Sequence, residues 1–318
     1  MNPAPRLAGP IIFFGTPEFA LPTLEALVAE DLPVGLVVTQ PDRPFGRGGR
    51  QRSPPVAVRA RELGLELVQP RRVRADDFLD RAMAVEPALA VVVAFGQIFR
   101  SRLLGLPALG CVNLHASLLP RWRGASPIAA AIAAGDRVTG VSTMVMGKGL
   151  DSGPILLQRE VAVGDQETTA ELSPRLAQAG AELMIETVHG LAAGELTPRP
   201  QRASLVTHAP MLERADGRVD WRLDARSLFN RLRAFTPWPG LHAEQGGRPV
   251  KLLAAEPLRG DGEALPGVIV GLRRGLLEVG CGGRTTLGVA RLQRPGGRPL
   301  AAADFVNGER LRAGDRFE

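Results

Sequence analysis

Several short segments of this chain are apolar at every position: residues 11–14, 34–38 and 89–95. A strand solvated on one face alternates apolar and polar residues, so a strand apolar throughout must be covered on both faces. Between these runs the spacing turns helical. Residues 18–30 place Phe19, Leu24, Leu27 and Val28 on one face behind Pro17, and 56–63 run up to Gly64. Residues 127–134 stop at Gly135, and 169–191 begin near Pro174 and end near Gly190 and Gly194. Two more strands are read at 111–115 and 140–146. Apolar strands alternating with helices predict an α/β fold whose mostly parallel sheet carries helices on both faces.

The pattern changes after residue 193. Residues 194–210 hold Pro198, Pro200 and Pro210 among polar neighbours and read as a linker. One helix follows at 224–234, with Leu228, Leu232 and Phe235 on one face. Short strands come next at 242–243, 250–255, 267–272, 275–279 and 285–289, punctuated by Gly and Pro. That rhythm predicts a small β-barrel. The division expected is therefore 1–193, a linker at 194–210, and 211–318. Residues 41–55, rich in Gly, Pro and Arg without periodicity, are expected as a loop.

Composition excludes several classes. With 45% hydrophobic and 23% charged residues the 318-residue chain is not intrinsically disordered. No apolar run reaches the ~18 residues of a membrane span, and the first residues lack a signal-peptide pattern. Two cysteines, Cys111 and Cys281, rule out a disulfide framework and a Cys-rich zinc site, and they suit a reducing cytoplasm. Only Lys148 and Lys251 are lysines, so 37 of the 39 cationic side chains are arginine. The net charge of +6 is local. Residues 42–74 carry nine arginines against three acids, and 208–318 carry a further excess of five positive charges. Two confined basic segments, rather than a uniform excess, suit a polyanionic partner.

The chemistry-bearing residues begin at the end of the fourth of these strands, 111–115. In Asn113-Leu114-His115 the period of two puts Asn113 and His115 on one side, at the carboxyl end where α/β sheets place their sites. His115 can move a proton near neutral pH, and Asn113 can donate to a developing oxyanion. Asp151, within Gly149-Leu150-Asp151-Ser152-Gly153, can approach a histidine between glycines. The spacing alone serves either a catalytic group or a structural histidine and a turn-capping aspartate. Other sites are missing from the sequence. No Gly-x-Gly-x-x-Gly follows the first strand, and there is no phosphate loop and no Gly-x-Ser-x-Gly elbow. His189, His208 and His242 lack metal-ligand spacing.

Taken together, Phe14-Gly15-Thr16-Pro17-Glu18-Phe19, Gln40 to Pro44 with Gly46-Arg47-Gly48, Asn113 through Gly124, Gly149 through Gly153, Asp220-Trp221 and Arg233 through Pro239 resemble the methionyl-tRNA formyltransferase family over nearly the whole chain. The resemblance implies a Rossmann-like formyltransferase domain and a C-terminal OB-like barrel. It implies transfer from 10-formyltetrahydrofolate to the α-amine of methionine on initiator tRNA, by a monomer with no metal and no membrane association. Asn113, His115 and Asp151 would be the catalytic trio. The folate would lie against Phe95, Gly96, Gln97, Ile98, Ser117, Leu118, Leu119, Pro120, Met144, Val145 and Gly149. Arg43, Arg47, Arg50, Arg52 and Arg214 would meet tRNA, with Arg47 the first choice, and the Leu119-Pro120 bond would be cis. The rival readings are a folate-dependent formyltransferase or hydrolase for an amino-sugar nucleotide or purine precursor, and a silent RNA-binding protein.

This sequence departs from the family pattern in four places. Gly49-Arg50 stands where lysines are common. Met211 and Arg214 occupy the positions of two linker lysines. Gly147-Lys148 follows Met146 where an acid is usual, and Phe95 stands where Tyr is frequent.

Overall fold

The structure is a computed structural model that describes residues 7–45, 50–258 and 264–318. In chain order the first elements are β1 (Ile11–Gly15), α1 (Leu21–Ala29), β2 (Val34–Val38), β3 (Arg43–Phe45), β4 (Arg50–Arg52), α2 (Pro55–Glu62), β5 (Leu67–Val68), α3 (Asp76–Ala84), β6 (Leu89–Val93) and α4 (Ser101–Leu104). There follow β7 (Cys111–His115), β8 (Arg123–Gly124), α5 (Pro127–Ala133), β9 (Val138–Val145), β10 (Ile155–Ala162), α6 (Thr169–Ala192) and β11 (His208–Ala209). The last are α7 (Ala225–Ala234), β12 (Leu241–Gln245), β13 (Arg248–Leu258), β14 (Ile269–Arg273), β15 (Leu276–Cys281), β16 (Thr285–Gln293), β17 (Leu300–Ala301) and α8 (Ala302–Glu309).

The main sheet has the order β10-β9-β7-β6-β1-β2-β5. Pairs β5–β2, β2–β1, β1–β6 and β6–β7 are parallel, and β9 and β10 add an antiparallel edge. Every residue of β1 and β6 is buried, as their unbroken apolar sequence demands. Strand order reverses between β1 and β6, the switch point where open α/β sheets open a crevice at their carboxyl edge. β6 stops two residues earlier than the apolar run 89–95, because Ala94 turns to φ +46°.

The Arg-rich segment expected as a loop contains an antiparallel ladder instead. Arg43 pairs with Arg52 across β3 and β4. Its base is clasped by polar side chains: Ser53 Oγ donates to Asp42 at 2.8 Å and Gln69 Nε2 donates to the same carboxylate at 2.8 Å. These bonds hold the Asp42 carboxyl below its usual range. Composition hid this hairpin because its closure is made by side chains outside it.

A second sheet has the antiparallel order β12-β13-β16-β15-β14, with β17 on β16. The last residues close it. Glu318 exchanges backbone bonds with Glu244 of β12, and Phe317 and Asp315 bond to Gly267 and Ile269 at β14. A strand order whose two ends are bridged in this way is a barrel without open edges. α7 packs on β13 and β16, and Asp224 caps it by accepting the Ser227 N–H at 2.9 Å. Cys111 and Cys281 are both buried, which pushes each thiol up to about 12 and leaves them unreactive as nucleophiles.

Contacts divide the chain into two compact units. The first comprises 1–127, 138–162 and 173–209, and the second comprises 128–137, 163–172 and 210–318. Of the expected linker 194–210, Pro210 groups with the second unit and residues 194–209 with the first. Backbone bonds between Arg199 and Ile155 and the pairing of β11 with β8 fasten them there. Among the described residues no helix is long and apolar enough to cross a membrane.

Candidate active site

β7 delivers two polar side chains to one face. Leu114, between them, points to the other, where it packs so closely on α6 that a Cβ on Gly180 would stand 2.6 Å from it. Asn113 and His115 therefore face away from that helix. His115 is only 6% exposed. Its Nε2 lies 2.9 Å from the carbonyl oxygen of Trp122. A carbonyl only accepts, so Nε2 carries the hydrogen, and the open lone pair of the neutral ring is on Nδ1. Nδ1 faces Asp151 Oδ2 at 3.7 Å, a charge-pairing distance rather than a hydrogen bond.

Asp151 occupies the turn between β9 and β10 at φ +46°, a left-handed conformation that Asp tolerates better than most residues. Oδ2 also accepts the Gly124 N–H at 2.9 Å. Gly124 has φ +124°, and a Cβ there would approach the Ala209 carbonyl to 2.4 Å, so glycine is needed where β8 meets β11. Trp122, whose carbonyl holds His115, is itself left-handed at φ +59°. Asn113 is half-buried beside Met144 of β9, and among the described residues its carboxamide makes no hydrogen bond. The strand end thus presents one unpartnered amide and one imidazole with a defined open nitrogen, and a carboxylate stands 3.7 Å from that nitrogen.

A buried network anchors the chain after β7. Ser142 Oγ accepts the Leu119 N–H at 3.0 Å and donates to the Ser117 carbonyl at 2.6 Å; Gln158 Nε2 reaches both Ser142 Oγ and the Leu119 carbonyl. Ser117 Oγ donates to the Arg121 carbonyl at 2.6 Å. The Leu119–Pro120 bond is cis, as the resemblance implies; Thr236–Pro237 and Trp238–Pro239 are cis as well.

The other candidate residues fall into two groups. Phe95, Ser117, Leu119 and Met144 are buried, with Phe95 edge-on to Phe14 and Phe99 in the core. Leu118, Pro120 and Val145 are half-buried. Gln97 is held by accepting the Val73 N–H at 2.9 Å. Gly96 and Gly149 are exposed, and Ile98 and Leu150 stand out at 84% and 73% exposure.

A cavity of about 800 Å³ opens at the switch point, outside β1, β2 and β6. Thr16, Gln40 and Phe95 tie its floor together: Thr16 Oγ1 and Gln40 Nε2 both donate to the Phe95 carbonyl, at 3.2 and 3.1 Å. Arg43 and Arg52 from the hairpin line its rim. Arg43 and Arg214 are exposed, Arg214 on a 3₁₀ turn of the second unit. Arg47 lies outside the described residues, as does the side chain of Arg50. In the second unit a cavity of about 610 Å³ gathers Arg218, Arg222 and Arg316 around Trp221 stacked on Phe317.

The sequence assigns no role to Thr16 and Gln40, which it shows only as motif residues, and it passes over Gln201 and Thr207. Single polar residues in turns and Pro-rich stretches carry no spacing signal, and their roles rest on long-range contacts. Among the described residues, no group of three or more His, Cys, Asp or Glu side chains is placed to hold a metal ion.

Polar groups gathered at the carboxyl edge of a doubly wound sheet stand where α/β enzymes place their active sites. Two family models match this chain: "Formyl transferase" over residues 10–188 and "Formyl transferase, C-terminal domain" over 211–310. It is 47% identical to the methionyl-tRNA formyltransferase of Methylococcus capsulatus, covering 96% of this chain and 99% of that one. It is 44% identical to that of Citrifermentans bemidjiense, covering 96% and 95%. The chain belongs to the formyl transferase family and, within it, to the methionyl-tRNA formyltransferases. Its fold resembles that of an N-formyltransferase from Helicobacter canadensis in complex with folinic acid and dTDP-3-aminofucose, with TM-score 0.66 at 13% identity over 88% of this chain and 98% of that one. It also resembles HypX from Aquifex aeolicus in complex with tetrahydrofolic acid, with TM-score 0.59 at 17% identity over 94% of this chain and 47% of that one.

Proposed function

We propose that this chain transfers the formyl group of 10-formyltetrahydrofolate to the α-amine of methionine on initiator tRNA, acting in the cytoplasm as a monomer without a bound metal. The observation that carries the chemistry is the imidazole with its open Nδ1 toward Asp151, on the same strand end as the unpartnered Asn113 carboxamide. The folate donor supplies an electrophilic formyl carbon. Segments 95–98, 117–120 and 144–149 hold it, with Ile98 and Leu150 giving apolar cover.

When the amine attacks, negative charge grows on the formyl oxygen. Asn113 donates to it, a contribution of ~3–4 kcal/mol for one well-placed donor. The proton leaving the amine is taken up at Nδ1 of His115, directly or through a water. Asp151 then balances the imidazolium across 3.7 Å, while Nε2–H stays on the Trp122 carbonyl. The tetrahedral intermediate collapses by breaking the formyl carbon–N10 bond, and the proton held at Nδ1 passes to N10, directly or through a water, so that tetrahydrofolate leaves neutral. Burial of His115 strengthens both interactions.

Arg43 and Arg52, with Arg47 and Arg50 between them, offer phosphate and base contacts to the acceptor end of tRNA, and Arg214 adds one from the second unit. Transfer to an amino-sugar nucleotide is the less favoured reading, since a small acceptor has no use for a hairpin this rich in arginine. The deciding experiment supplies 10-formyltetrahydrofolate with either charged initiator tRNA or an amino-sugar nucleotide. Formylated methionyl-tRNA is the expected product; turnover of the sugar alone would overturn the assignment.

A further inference from the structure

The stretch 199–209 is fastened to the site at three points. Arg199 exchanges two backbone bonds of 2.8 Å with Ile155, at the start of β10. Thr207 Oγ1 accepts the Trp122 N–H and its carbonyl accepts the Arg123 N–H, both at 2.9 Å. Between these anchors stands Gln201, half-buried. Its Nε2 donates to the carbonyls of Asp151 (2.9 Å) and Gly153 (2.7 Å), and its Oε1 accepts from Arg123 Nε (3.0 Å) and a terminal guanidinium nitrogen (2.7 Å). Carbonyls cannot donate and a guanidinium cannot accept, so this amide has one possible orientation, and every donor and acceptor on it is used.

We infer that Gln201 is a positioning residue for the His115–Asp151 pair. Its amide ties the turn that carries Asp151 to the segment 122–124. That segment supplies both the carbonyl that orients His115 and the N–H that orients the Asp151 carboxylate. Asp151 and Trp122 both hold left-handed backbones, a conformation that persists only where surrounding contacts over-determine it. Gln201, with Thr207 behind it, supplies those contacts. His115 and Asp151 are not bonded to each other, so their 3.7 Å separation is set by the two loops that Gln201 joins.

This inference rests on the proposed formyl transfer for its activity readout, and a second readout is independent of activity. Gln201→Glu keeps both acceptors for Arg123 and removes both donors to the Asp151 turn. Gln201→Met removes these four contacts and the longer one from Nε2 to Met144 Sδ at 3.9 Å. For both variants kcat should fall by about 10- to 100-fold, the scale of a misplaced catalytic geometry. KM for each substrate should stay within about twofold, and Tm should move by less than about 4 °C. The chain has four histidines, so ring ¹⁵N spectra in a pH series resolve His115. The wild type should show a single tautomer protonated at Nε2, and the variants a mixture.

A Gln201→Glu protein with wild-type kcat and a wild-type His115 spectrum overturns the inference. So does a loss of kcat with that spectrum unchanged. Should Gln201→Met fail to fold, Gln201→Glu decides. If the wild type does not formylate methionyl-tRNA, the functional assignment fails, and the ¹⁵N tautomer comparison alone decides the role of Gln201.

Discussion

The Trp122 carbonyl holds the Nε2–H of His115 at 2.9 Å, and so selects Nδ1 as the nitrogen open to a proton. The contact arises from a strand end and a left-handed turn seven residues apart, and it fixes the direction in which this site handles a proton.

Replacing His115 by Gln separates orientation from proton transfer. The glutamine amide can donate to the Trp122 carbonyl but has no base at the Nδ1 position. The protein should fold with its melting temperature nearly unchanged, and kcat should drop about 10²- to 10⁴-fold. Steady-state kinetics beside a thermal melt checks both parts.

Asp151 tests charge against backbone in one pair of variants. Asp151→Asn keeps an oxygen for the Gly124 N–H and tolerates φ +46°, so stability should hold while kcat falls. Asp151→Val loses the acceptor and forces a branched side chain into the left-handed region. It should cost about 1–3 kcal/mol in urea unfolding.

Gly124→Ala places a Cβ 2.4 Å from the Ala209 carbonyl at φ +124°. The β8–β11 pairing must give way, at about 1–3 kcal/mol of stability. Amide exchange at Ser126, whose N–H reaches the Ala209 carbonyl, should accelerate with it.

Arg43→Ala and Arg52→Ala test the hairpin. Each should weaken tRNA binding and reduce the slope of log affinity against log salt by about one. The KM for folate should stay put. A folate KM that rose in step with the loss of tRNA binding would show the hairpin serving the donor instead.

Asp224 gives a signed pH dependence. The N–H and hydroxyl of Ser227 hold its carboxyl below the ordinary 3.8. A depressed folded value means the cap contributes fully above pH 3.8 and fades as pH falls through the lower folded value. Asp224→Ala should therefore cost about 1 kcal/mol near neutrality and progressively less in acid. Urea midpoints of both proteins across that range read the difference directly.

Much of this was legible in the chain because the signal is local. The fully apolar strands β1, β2 and β6 announce a covered parallel sheet, and Asn113 and His115 share a face by the period of two alone. What stayed hidden depends on distant partners. No strand is read at 155–162, where β10 runs with one face solvated. The β3–β4 hairpin is closed by Gln69, well outside it. Phe95 reads as a pocket side chain, yet packing on Phe14 and Phe99 turns its ring inward and leaves its carbonyl to Thr16 and Gln40.

By itself, then, the sequence determined the main alternation of strands and helices, the barrel after residue 210, where the positive charge lies, and that Asn113 and His115 share one face of a strand end. These follow from hydrophobic periodicity and residue type, which act over a few residues. Only the tertiary structure decided which nitrogen of His115 is open and what holds Asp151 opposite it. It also turned a proline-rich stretch expected as a linker into the strap carrying Gln201 and Thr207. Hydrogen bonds between residues as far as 85 positions apart set those features, and no local pattern records them.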